Sequence, residues 1–76
     1  MNKTSIIANS NYMKILLTKI MDERKISVRQ VSILTGIPKS TINDIMNGQS
    51  PRLDTMEQLA KGLNVKISDL YESPYK

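Results

Sequence analysis

Apolar residues recur along the chain at helical intervals, and the stripes are separated by turn signals. Spacings of three and four from Met13 onward predict a first helix beginning near Tyr12. A second helix is predicted after Ser27, because Ser27 and Gln30 have the spacing of a capping box. Gly36 is expected to end that helix, since glycine readily adopts the positive φ of a helix C-terminus.

Three further helices follow in the pattern. Pro38 is well placed to start a third helix over residues 39–46, because proline lacks the N–H that goes unpaired there. A second capping-box spacing at Asp54 predicts a fourth helix ending at Asn64. A last short helix is expected over residues 66–72.

These elements predict an all-α fold, a compact bundle of five short helices without a strand. We expect residues 12–72 to form the domain, with a polar N-terminal arm over 1–11 and a C-terminal tail over 73–76. Val31 and Leu34 are expected to point inward from the second helix.

The composition narrows the possible functions. Seventy-six residues allow one domain, and the chain has neither Cys nor His. Disulfides, the commonest metal ligands and the commonest general base are therefore missing, so we expect no enzyme, no metal and no cofactor. The apolar runs are at most three residues long, which predicts a cytoplasmic protein without membrane contact. A net charge of +4 favours a polyanionic partner.

Residues 28–47 carry the spacing of a helix-turn-helix (HTH). Such a motif needs a small residue where the helices cross, a residue tolerant of positive φ in the turn, and apolar residues that plug the turn and face inward. Six positions satisfy these needs at fixed offsets: Val31, Ser32, Gly36, Ile37, Ile42 and Ile45.

The segment SVRQVSILTGIPKSTINDIMNGQSPRLDTMEQLAKGLNVKISDL resembles the Xre family of phage-repressor/Cro type HTH proteins. The resemblance covers residues 12–71. It implies a lambda-repressor-like domain of five helices, with the HTH at helices two and three. It also implies that the third helix enters the major groove and that two-fold dimers are common.

The resemblance further implies which residues face DNA. The expected base-reading residues surround the start of the third helix: Pro38, Lys39, Ser40, Asn43 and Asp44. Lys can donate to guanine, Asn can pair with adenine, and Asp can accept from cytosine. The expected phosphate contacts are Ser27, Arg29, Thr41, Asn47, Gln49, Ser50 and Arg52. The plainer alternative is that the third helix simply presents a solvated polar face.

Two of the departures from the family pattern concern residues expected to face DNA. Val28 stands where many members have Gln, and Asp44 stands where a basic or polar residue is common. Val cannot hydrogen bond to phosphate, and Asp is repelled by phosphate unless it faces a base.

Apolar residues outside this motif suggest a protein partner. Ile15, Leu16, Ile33 and Leu34 either widen the core and bury the leader or form an exposed patch that meets another subunit. A second candidate dimer surface lies near the C-terminus, at Ile67, Leu70, Tyr71 and Tyr75.

The sequence therefore predicts a transcriptional regulator that binds specific sequences of double-stranded DNA. We expect a repressor that acts as a homodimer on a palindromic operator, since repression by occlusion needs no effector domain. The alternative is an antitoxin-like or other protein-binding module in which DNA binding is secondary.

Overall fold

Four α-helices enclose one apolar core in the computed structural model, which describes residues 14–75. The helices are α1 (Leu17–Arg24), α2 (Val28–Thr35), α3 (Lys39–Met46) and α4 (Leu53–Leu63). A 3₁₀ helix (Ile67–Leu70) follows α4. Two short strands, β1 (Lys14–Ile15) and β2 (Tyr71–Glu72), pair antiparallel, with Ile15 opposite Tyr71.

Most of the predicted helix ends are confirmed. The Gln30 N–H donates to the Ser27 hydroxyl at 3.2 Å, and the Ser27 N–H donates to the Gln30 side-chain oxygen at 2.8 Å, which completes the capping box. Gly36 and Asn64 end α2 and α4 with φ of 78° and 55°. The third helix begins directly after Pro38, as expected.

The prediction of five helices without a strand is wrong at both ends of the domain. Helix α1 begins at Leu17 rather than near Tyr12, because β1 pairs with β2 just before it and the Leu16 N–H donates to the Leu70 carbonyl at 2.8 Å. The expected fifth helix is a single 3₁₀ turn, since Tyr71 and Glu72 belong to β2. The predicted arm over residues 1–11 lies outside the described residues.

Asp54 is not the cap of α4. The helix begins at Leu53, with Arg52 in the cap position and no side-chain cap bond. The Asp54 carboxylate instead accepts from the Thr55 N–H at 2.8 Å, within the first turn. A negative charge there still stabilises the helix through its dipole.

The core is built from twelve apolar side chains among the described residues. They are Leu17, Ile20, Met21, Val31, Ile37, Ile42, Ile45, Met56, Leu59, Ala60, Leu63 and Leu70. Leu70 is therefore unavailable to the predicted C-terminal dimer surface, because the turn after α4 folds it inward. Ile15 and Leu16 are half-buried rather than part of an exposed patch.

Leu34 does not point inward as predicted and is 53% exposed. The inward stripe of α2 runs through Val28, Val31, Ser32 and Thr35, which are all buried or half-buried. These positions follow helical spacing, and Leu34 lies about 110° of helix rotation away from their centre.

Helices α2 and α4 approach closely at Gly62. A Cβ placed on Gly62 would lie 2.6 Å from the Leu34 carbonyl oxygen and 2.7 Å from the Thr35 Cα. Backbone atoms cannot yield as the end of a flexible side chain does, so only glycine allows this packing.

We predict that Gly62→Ala destabilises the domain by about 1–3 kcal/mol, the usual cost of overpacking a tight contact. This occurs although Ala favours a helix interior by about 1 kcal/mol over Gly. Urea unfolding followed by circular dichroism measures the change. Gln58→Ala, at an exposed position of the same helix, is the control and should change stability little. A Gly62→Ala protein more stable than wild type would contradict the close contact.

Candidate nucleic-acid interface

The turn between α2 and α3 is closed by apolar packing. Val31 on α2, Ile37 in the turn, and Ile42 and Ile45 on α3 are all buried, as the HTH spacing predicts. Gly36 takes up the positive φ that redirects the chain. With Ile42 and Ile45 inside, the opposite face of α3 points to solvent.

Hydroxyl groups on α2 also hold the turn, which the sequence reading missed. The Ser32 hydroxyl donates to the Ile37 carbonyl at 2.6 Å. The Thr35 hydroxyl accepts from the Ile37 N–H at 3.2 Å and donates to the Val31 carbonyl at 2.7 Å. Sequence reading treated Ser32 only as a small residue and gave Thr35 no role.

All five predicted base-reading residues are exposed at or near the start of α3: Pro38, Lys39, Ser40, Asn43 and Asp44. Lys39 and Asn43 lie one turn apart, and Ser40 and Asp44 lie beside them. Their side chains make no hydrogen bond to any other residue of the 14–75 segment. The donors and acceptors of this face are thus available to a partner.

The start of α2 offers fewer free N–H groups than expected. The capping box occupies the N–H groups of Ser27 and Gln30. Those of Val28 and Arg29 make no hydrogen bond within the described residues, and the Arg29 side chain is exposed. Val28 itself is half-buried against the core, which accounts for an apolar residue at this position.

The loop after α3 folds back along the end of that helix. Gly48 has a φ of 103°, and the Gln49 N–H donates to the Asp44 carbonyl at 2.9 Å. The predicted phosphate contacts of this loop are exposed: Asn47, Gln49, Ser50 and Arg52. Thr41, also predicted to contact phosphate, is half-buried on α3.

Arg52 forms a surface ion pair with Asp54. The Arg52 Nε lies 3.4 Å from the Asp54 carboxylate, and the two side chains are 84% and 65% exposed. Such a pair contributes little to stability, yet it holds the Arg52 side chain beside the loop. The two terminal nitrogens of the Arg52 guanidinium remain able to donate to an anion.

A family model described as a Cro/C1-type HTH DNA-binding domain matches residues 17–74, most of the chain. The chain belongs to the Cro/C1-type HTH DNA-binding family. Searches among curated proteins and solved structures found no match. The family match confirms the resemblance inferred from residues 27–70 and supports a DNA-binding regulator.

The exposed charged residues of α2, α3 and the start of α4 include both signs. Arg29, Lys39 and Arg52 are positive, whereas Asp44 and Asp54 are negative. None of the helices among residues 14–75 is long and apolar enough to cross a membrane.

We predict that Asp44→Asn strengthens binding of the Cro/C1-type domain to random-sequence duplex DNA about threefold at low salt. The exposed carboxylate makes no ion pair within residues 14–75, and removing one charge beside phosphate is worth up to about 1 kcal/mol in water. The gain should shrink as salt screens the phosphates. Fluorescence anisotropy at several salt concentrations measures the effect.

Glu57→Gln, on the exposed side of α4, removes the same charge elsewhere and serves as the control. Weaker binding by Asp44→Asn to random-sequence DNA would contradict the prediction, and loss of a cytosine preference in sites selected from random duplex DNA would show that Asp44 accepts from a base.

Proposed function

We propose that this protein is a transcriptional repressor that binds specific sequences of duplex DNA as a homodimer. The observation that carries the proposal is the exposed polar face of α3, which directly follows the HTH turn in a domain of the Cro/C1-type family. Such a recognition helix enters the major groove with its N-terminal residues toward the base edges. The proposed place of action is the cytoplasm.

Base reading is assigned to the start of α3. Lys39 would donate to the acceptor atoms of guanine, and Asn43 would pair with adenine through its amide. Ser40 would donate to or accept from either base, and Pro38 would contact a thymine methyl. These assignments are supported by the exposure of the four side chains and by their freedom from hydrogen bonds to other residues of the 14–75 segment.

Backbone contacts are assigned to groups on either side of α3. The N–H groups of Val28 and Arg29 begin a helix and point their dipoles outward, which suits a phosphate. Arg52 and the preceding loop lie at the other end of α3. Contacts on both sides would fix the register of α3 without reading sequence.

The small size of α3 supports the proposal of a dimer. Helix α3 has eight residues, which span about 12 Å at 1.5 Å per residue. One such helix reads only a few base pairs, so two copies related by a two-fold axis would be needed for a specific site. Repression by occlusion then requires nothing beyond occupancy of the operator.

A protein-binding module, such as an antitoxin, is the second candidate. Ile33 and Leu34 are neighbours on α2 and are 70% and 53% exposed. Adjacent exposed aliphatic residues favour a protein contact. In that case DNA binding would be secondary.

Selection of binding sites from random duplex DNA tests the proposal. We expect wild type to enrich a palindrome whose half-sites lie about 34–36 Å apart. Lys39→Ala should lose preference at one base position in each half-site, at a cost of about 1–3 kcal/mol. An unchanged motif would refute the role of Lys39. If wild type enriches no sequence, the protein-binding alternative is favoured instead.

Arg52→Ala should weaken binding to all sequences alike. Loss of one phosphate contact lowers the slope of log affinity against log salt by about 0.9. Salt titrations with specific and scrambled duplexes measure both quantities. Lys61→Ala, which removes an exposed cation from the last turn of α4, should leave the slope unchanged. A change confined to the specific duplex would show that Arg52 reads a base.

A further inference from the structure

Ile37 places two backbone polar groups inside the protein, since the residue is only 3% exposed. Buried N–H and C=O groups need hydrogen-bond partners. Neighbouring backbone groups do not supply these partners. The N–H groups of Thr41 and Ile42 donate to the Pro38 carbonyl, at 3.1 and 3.2 Å, rather than to the Ile37 carbonyl. The Gly36 N–H, at the end of α2, bonds to the Ser32 carbonyl at 2.8 Å.

The hydroxyls of Ser32 and Thr35 supply both partners. Ser32 donates to the Ile37 carbonyl, and Thr35 accepts from its N–H. The Thr35 hydroxyl is itself fixed by its bond to the Val31 carbonyl on the same helix. Ile37 is thus held at both polar groups by rigid positions of α2.

Only Pro38 separates Ile37 from α3, whose exposed polar face is proposed to read DNA bases. Pro38 has a φ of −58°, which its ring fixes, and Lys39 is the first residue of α3. A shift of the Ile37 peptide groups would therefore move Lys39 and Ser40 with it. Hydrogen bonds to base edges require specific distances and angles, so such a shift would weaken them.

We propose that Ser32 and Thr35 are positioning residues that set the sequence selectivity of DNA binding, by fixing the direction in which α3 leaves the turn. The inference rests on the proposed function. Neither residue touches DNA in this proposal, and both act through Ile37. Contacts to phosphate carry no sequence information, so we expect loss of the two hydroxyls to weaken binding to a specific site more than binding to a scrambled duplex.

The test uses Ser32→Ala, Thr35→Val and the double variant in the full chain. Each substitution removes a hydroxyl with little change in volume. Thr35→Ser keeps the hydroxyl and should behave as wild type. The matched controls are Ser68→Ala on the 3₁₀ helix and Thr18→Val on α1, both at exposed positions. Circular dichroism confirms that every variant is folded at the temperature of the assay.

The first measurement is the ratio of the Kd for a scrambled duplex to the Kd for the selected site. A buried hydrogen bond is worth about a fivefold change in an equilibrium constant. We expect each single variant to lower the ratio about fivefold while the Kd for scrambled duplex stays within about twofold. An unchanged ratio, or equal losses on both duplexes, would overturn the inference.

The second measurement is amide hydrogen exchange in the free protein. We expect the Ile37 N–H to exchange faster in Thr35→Val by a larger factor than the buried Leu59 N–H, which reports opening of the core. Equal acceleration at both positions would mean that Thr35 only stabilises the fold, and the inference would then be wrong.

The two failures are distinguishable. Wild type that enriches no duplex refutes the proposed function, and the role of the hydroxyls in DNA reading falls with it. Wild type that selects a site lost in Lys39→Ala but retained in the double variant refutes only the inference.

Discussion

The burial of Ile37 between α2 and α3 is the constraint on which the exposed polar face of α3, the proposed DNA-reading face, depends. Its side chain joins the core formed by Val31 and the inward face of α3. Since α3 is only two turns long, burying Ile42 and Ile45 leaves one possible outward face. The polar residues of that face are thus exposed because Ile42 and Ile45, on the opposite face, are buried in the core.

Local signals predicted much of this arrangement. The capping box at Ser27, the positive φ at Gly36 and Asn64, and the bounds of α3 each depend on a few neighbouring residues. The buried and exposed faces of α3 follow from helical spacing in the same way. Sequence reasoning therefore describes the exposed face of α3 well, but it missed the occupied N–H of Ser27 and the hydroxyl bonds of Ser32 and Thr35.

Features that depend on distant parts of the chain were not predictable in this way. The pairing of β1 with β2 joins residues from opposite ends of the domain. Apolar residues near each strand also have helical spacing, which favoured the prediction of helices there. Nothing around Gly62 reveals that α2 passes within van der Waals distance. Leu34 was misplaced because its own spacing from Val31 is helical, whereas the true stripe is centred between Val28 and Thr35.

The β1–β2 pairing has a consequence for the order of folding. Helices α2 and α3 meet across a three-residue turn, so their contacts cost little chain entropy to form. Ile15 and Tyr71 meet only after nearly the whole described chain has been closed into a loop. Contacts between residues so far apart in sequence are slow to form, so we infer that the β1–β2 pair forms late in folding. Weakening the β1–β2 pairing would therefore speed unfolding more than it slows folding.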